Sequence, residues 1–116
     1  MSVDDISSQD DDWSTSVMYF RDAMQSLSLD VEGQIAAIGG PNAAWELRQD
    51  VIDFGSALIE SSNGRLDEEV ERTIHVLVET LQQLPEAAYQ GDAAKALNHP
   101  QWDSVRRLAA TLLTRI

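Results

Sequence analysis

A histidine with a carboxylate one helical turn to either side can hold a divalent metal ion, and Glu71, His75 and Glu79 have that spacing. Imidazole and carboxylate both serve as ligands for such ions. The competing reading is a surface histidine whose protonated form the two acids favour. It is preferred, because no second ligand-bearing helix can be identified. The other histidine, His99, stands ahead of Pro100, where a packing or capping role is expected. No serine is marked as a nucleophile by an elbow motif, and there is no cysteine. Gly39-Gly40-Pro41-Asn42 precedes a helix but lacks the lysine, the glycine spacing and the preceding strand of a phosphate-binding loop. It reads as a turn. No catalytic residue, metal ligand or cofactor-binding residue is assigned, and the expectation is a protein that is not an enzyme.

Carboxylates are the more informative group. Glu46, Asp50, Asp53 and Glu60 follow one another at spacings of four, three and seven, which places them on one face of a helix at about 100° per residue. Glu68 and Glu69 open the next helix, where its dipole favours acids, and Glu79 lies on its outer side. Val76, flanked by Thr73 and Thr80, falls on the exposed side of that helix. Single exposed apolar residues are common, but next to an acidic stripe Val76 would supply the apolar centre of a charged contact patch. These eight residues are the candidate partner-binding set. Arg48 sits within the apolar sector of its helix and has two readings: a stem lying along the apolar face with the guanidinium at its edge, or a buried pair with an acid of another helix. The first is preferred. Arg106, at the margin of an apolar face, and Arg107, outside it, are expected to pair with acids of the same chain.

The elements that position these residues are helical throughout. Trp13, Val17, Phe20, Met24 and Leu27 form one stripe with Asp12 as its N-cap, and a break near Leu27–Asp30 leads to a short second helix ending at Gly39-Gly40. Asn42 caps a third helix, in which Gly55 lies mid-face where the missing Cβ lets another helix backbone come close. Asn63-Gly64 ends it. Asp67 caps a fourth, with Val70, Ile74, Leu77, Leu81 and Leu84 on its buried face, and Pro85 marks its stop. Residues 85–100 are punctuated: a helical turn over Pro85–Tyr89, then a short helix over Ala93–Leu97 capped by Asp92. Pro100 falls in the first turn of the last helix, whose apolar face runs from Trp102 to Ile116. No segment alternates with period two. The expectation is an all-α chain: a compact bundle of about five helices around a central antiparallel helical hairpin, residues 13–116 forming one domain behind a mobile acidic tail at 1–12.

Twenty acidic residues against eight basic ones leave a net charge of −12. Phosphate backbones and anionic membrane surfaces repel such a chain, so neither nucleic acid nor membrane is an expected partner. A basic protein would be drawn in quickly. The N-terminus is acidic and polar, unlike a secretory signal, and no apolar run is long enough to span a bilayer; the expected compartment is the cytoplasm. In size and composition the chain resembles the acidic helical immunity proteins of bacterial toxin systems. That resemblance implies a non-catalytic inhibitor of the immunity, antitoxin or anti-defence type, a monomer or homodimer that neutralises a toxin or nuclease-like basic protein. The alternative is an oligomeric scaffold or secretion-type chaperone that self-associates through an exposed apolar face.

Overall fold

Three aspartates set helix starts by the same local chemistry. Asp30, Asp67 and Asp92 accept hydrogen bonds from the backbone N–H groups of Gly33 (2.8 Å), Glu69 (2.8 Å) and Ala94 (3.0 Å). Each satisfies a donor that the first turn of a helix leaves without an internal partner. The computed structural model describes residues 3–116, with side chains from residue 13. Its helices are α1 (Val3–Leu27), α2 (Val31–Ile38), α3 (Ala43–Ser62), α4 (Glu68–Gln82), α5 (Ala93–Leu97) and α6 (Gln101–Leu113), with a turn of 3₁₀ helix over Glu86–Ala88. No strand occurs among the described residues. The all-α class stands, with six α-helices where about five were expected.

The differences are local. α1 runs through Asp12, so it does not start at Trp13 with Asp12 as its N-cap; the expectation of a mobile acidic tail at 1–12 falls on side chains outside the described residues. Asn42 occupies the N-cap of α3, but its side chain makes no capping bond. Pro100 stands just ahead of α6, not inside its first turn, and His99 Nδ1 accepts the Gln101 N–H at 3.2 Å. The capping role expected of His99 is what it performs. Asn63 (φ 49°) and Gly64 (φ 81°) are both left-handed, the conformation that ends α3 and turns the chain toward α4.

Packing follows the apolar stripes. α1 lies against α3 and α6, and α4 lies against the same two helices, while α2 and α5 pack together and against α3. Phe20, Met24 and Leu27 of α1 meet Leu47, Val51 and Leu58 of α3, Ile74, Leu77 and Leu81 of α4, and Trp102, Val105 and Leu112 of α6 in the core. Each of these side chains stabilises the fold by about 1.5–3 kcal/mol relative to staying in water. α3 and α4 meet in descending order, Arg48 with Leu81 and Gly55 with Ile74 and Val78. At Gly55 the approach is close: a Cβ there would lie 2.9 Å from Val78 Cγ2. The three nearest neighbours of such a Cβ are side-chain atoms of α4 and α1, not the helix backbone expected there. Ile116 packs half-buried against the core, and its N–H donates to the Leu112 carbonyl at 3.0 Å.

Candidate functional site

Because α3 buries the face bearing Leu47, Val51 and Leu58, its opposite face carries Glu46, Asp50, Asp53 and Glu60 into solvent. Among the described residues, no basic side chain lies within ion-pair distance of any of the four. Gln49 Nε2 donates to Asp53 Oδ1 at 3.1 Å, a neutral contact that leaves the charge uncompensated. Partial burial, and then the negative charges of Glu46 and Asp53, push the Asp50 carboxyl above its ordinary value. Glu46 and Asp53 are therefore each close enough to repel Asp50.

The remaining candidates are placed differently. Glu60 lies on the α4 side of the same helix, lining a shallow hollow with His75 and Val78. Glu68 faces Arg72 at 3.7 Å and Glu69 faces Arg115, just beyond α6, at 3.0 Å, so both serve contacts within the chain. These are solvent-exposed pairs, each worth little to stability. Glu79 is exposed on the outer side of α4. Val76 is 46% exposed, but it shares the flank of α4 on which Glu69 reaches Arg115, almost opposite Val78, which meets α3. Val76 does not sit beside the α3 carboxylates and supplies no apolar centre for them. Among the described residues no group of three or more His, Asp or Glu side chains is assembled to hold a metal ion.

An apolar neighbour of the stripe exists on its other side. Tyr19 of α1 stacks on Phe54 of α3, with ring centroids 5.7 Å apart and planes inclined by 18°. The pair crosses the outer groove between α1 and α3, leaving a hollow of about 320 Å³ toward Thr15 and Ala57 and another of about 180 Å³ toward Ile38. Asp22 and Asp50 both line the second hollow. Tyr19 is 49% exposed and Met18, its chain neighbour, 52%. Sequence periodicity leaves Tyr19 and Asp22 unassigned, because they become neighbours of the stripe only when α1 docks on α3.

Two arginines, in contrast, are drawn inward, while the other six basic side chains are exposed. Arg48 Nε donates to the Leu81 carbonyl at 2.8 Å and its Nη2 to that of Gln82 at 3.4 Å, while the guanidinium lies 4.4 Å over the Tyr89 ring. The buried acid pair is not formed, since Arg48 has no acid partner among the described residues; the half-buried side chain instead brings its guanidinium to the C-terminus of α4, where unpaired carbonyls and the negative dipole end favour a cation. Arg106 does the same for α5, donating to the Leu97 carbonyl, and adds Asp103 at 3.1 Å, the acid pairing expected of it. It also donates to Oε1 of Gln34 at 3.0 Å. Gln34 is fully buried, and its Nε2 donates to the Leu27 carbonyl at the end of α1 (2.8 Å). Trp102 Nε1 fixes the 3₁₀ turn through the Ala88 carbonyl at 2.7 Å.

No protein-family model matches this chain, and no curated protein or solved structure matches it either. Among the described residues no helix is long and apolar enough to cross a membrane. What the molecule offers for function is therefore its surface: a ridge of unpaired carboxylates beside a groove crossed by two aromatic rings.

Proposed function

We propose that this protein is a non-catalytic binding module that neutralises a basic protein partner through the carboxylate face of α3, in the manner of an immunity protein, antitoxin or anti-defence inhibitor acting in the cytoplasm as a monomer or homodimer. One observation carries the reading: Glu46, Asp50 and Asp53 are crowded on an exposed helix face, while the basic side chains with contacts in the chain meet other groups. Crowded like charges cost free energy that a cationic surface relieves on docking, and the same field speeds encounter with such a surface. A self-associating scaffold calls instead for one continuous apolar face. Among the described residues, the exposed large apolar side chains are distributed over α1 (Met18, Tyr19), the turn after it (Leu29), α3 (Trp45) and α4 (Val76).

The test uses the full chain as bait in an extract of its host, beside a variant carrying Glu46→Lys, Asp50→Lys and Asp53→Lys. The expected result is a basic protein retained by the parent at low salt, released as ionic strength rises, and lost from the variant. With the purified pair, the variant should associate more slowly by about tenfold or more. Recovery of no basic protein, or equal association rates at low salt, would overturn the reading.

A further inference from the structure

The groove beside the carboxylate ridge has the dimensions and chemistry of a helix seat. From Thr15 to Ser26, the span of α1 that lines its two hollows, the chain rises about 16 Å, three turns of a helix laid alongside. Its floor is apolar, built from Phe54, Leu47 and Ile38, with half-exposed Tyr19 standing over it. Its rim is anionic, because Asp22 of α1 and Asp50 of α3 line the same hollow. Neither acid has an ion-pair partner among the described residues.

We infer that the α1–α3 groove is the seat for a basic amphipathic helix of the partner, whose apolar residues fill the hollows on either side of the Tyr19–Phe54 stack and whose lysine or arginine reaches between Asp22 and Asp50. This assignment rests on the proposed function and specifies the partner element that function requires. Helix-in-groove recognition places anchors at one-face spacing, three, four and seven residues apart, and the aromatic stack divides the groove into two places for such anchors. A long basic side chain suits the Ile38 end in particular. Its aliphatic stem covers Phe54 and Leu47 while the cationic head stays at the rim, within reach of the Tyr19 ring face. An uncharged apolar helix would leave Asp22 and Asp50 partly desolvated without a counter-charge, which disfavours it.

The test is a labelled peptide of about eighteen residues with leucines at one-face helical spacing and lysine or arginine elsewhere. It is titrated into the full chain at low salt by fluorescence anisotropy, beside a scrambled peptide of identical composition. Amide chemical shifts locate the contact. The expected result is binding at least about tenfold tighter for the amphipathic peptide than for the scramble, with shifts at Tyr19, Asp22 and Phe54. Tyr19→Ser, and separately Asp22→Asn with Asp50→Asn, should each weaken it by about fivefold or more, while Glu60→Gln leaves it unchanged. Tyr19 is half-exposed and both acids lie at the surface, so these variants should melt close to the parent, and a thermal melt checks that they do. If both peptides bind equally and the shifts fall on Glu46, Asp53 and Glu60, the groove assignment is overturned and the proposed function survives. If neither peptide binds, both fail. Concentration-dependent shifts at Tyr19 and Phe54 without peptide would mean that a second copy of the chain fills the groove, which also overturns the assignment.

Discussion

The end of the molecule closed by α2 and α5 and the outward face of α3 treat charge in opposite ways. At the closed end, Arg106 and Gln34 tie the C-termini of α1 and α5 together, and Arg48 closes the C-terminus of α4. On the α3 face, carboxylates stand beside one another with no cation among the described residues to answer them. The two facts are connected. Among the described residues, the carbonyls at the ends of α4 and α5 are met by arginines from elsewhere in the chain. With eight basic residues in the chain, those placed at helix ends are unavailable to the acidic surface. The contrast teaches that composition supplies the excess of acids and that the fold adds to it by turning two arginines to helix ends.

Removing Arg106 should break the comparison most severely. Its side chain is only 17% exposed, and Arg106→Ala leaves the buried Oε1 of Gln34 and the Leu97 carbonyl without their donor. The expected cost is about 3 kcal/mol in a denaturant melt. A loss confined to a few tenths would mean that water substitutes freely there, and the closed end would no longer differ from a solvated surface. Arg48→Ala should cost less, about 2 kcal/mol, since its bonds go to carbonyls nearer solvent. Arg48→Lys sharpens the point: a lysine retains the charge at the end of α4 but lacks the planar fork that meets two carbonyls and stacks on Tyr89, so it should restore only part of the loss.

The smallest effect belongs to the α3 face and has the opposite sign. The Asp50 carboxyl holds its proton to higher pH in the folded chain than its ordinary value of 3.8 implies. In the window just above that value the native state therefore binds more protons than the unfolded state, and stability falls as pH rises through it. Asp50→Asn removes that penalty. It should stabilise the protein at neutral pH by less than about 0.5 kcal/mol, the side chain being largely solvated. The gain should vanish on acidification below the ordinary carboxylate range. A gain equal at acid and neutral pH would show that charge is not its cause.

Most helix boundaries were legible in the sequence because their signals act within a few residues. Asp67 and Asp92 cap the next turn, Asn63-Gly64 adopts the left-handed corner, and Pro85 follows the end of α4. The role of Arg48 was not legible, since the carbonyls it serves lie 33 and 34 residues further along the chain. Gln34 left a trace that can be recognised afterwards. It falls in the register of Val31, Ile35 and Ile38, where a polar side chain is out of place unless something meets it, and its partner Arg106 is 72 residues away. The candidate site divides in the same way. The stripe Glu46, Asp50, Asp53 is a property of one helix and was read directly, whereas the neighbours of that stripe depend on which helix docks beside it. Val76 was expected there and lies on another flank; Tyr19 and Asp22 stand there instead.

Sequence alone determined the helical class, the start and stop of most elements and the side of each helix that faces water. Those properties arise from backbone capping and from the 3.6-residue repeat, both set by residues close together in the chain. Only the tertiary structure decided which arginines turn inward, which acids keep their charge uncompensated and which aromatic rings border them. Each of those outcomes needs two segments far apart in sequence to meet, and the energy that brings them together is the burial of apolar faces, which fixes neighbours without regard to the charges carried along.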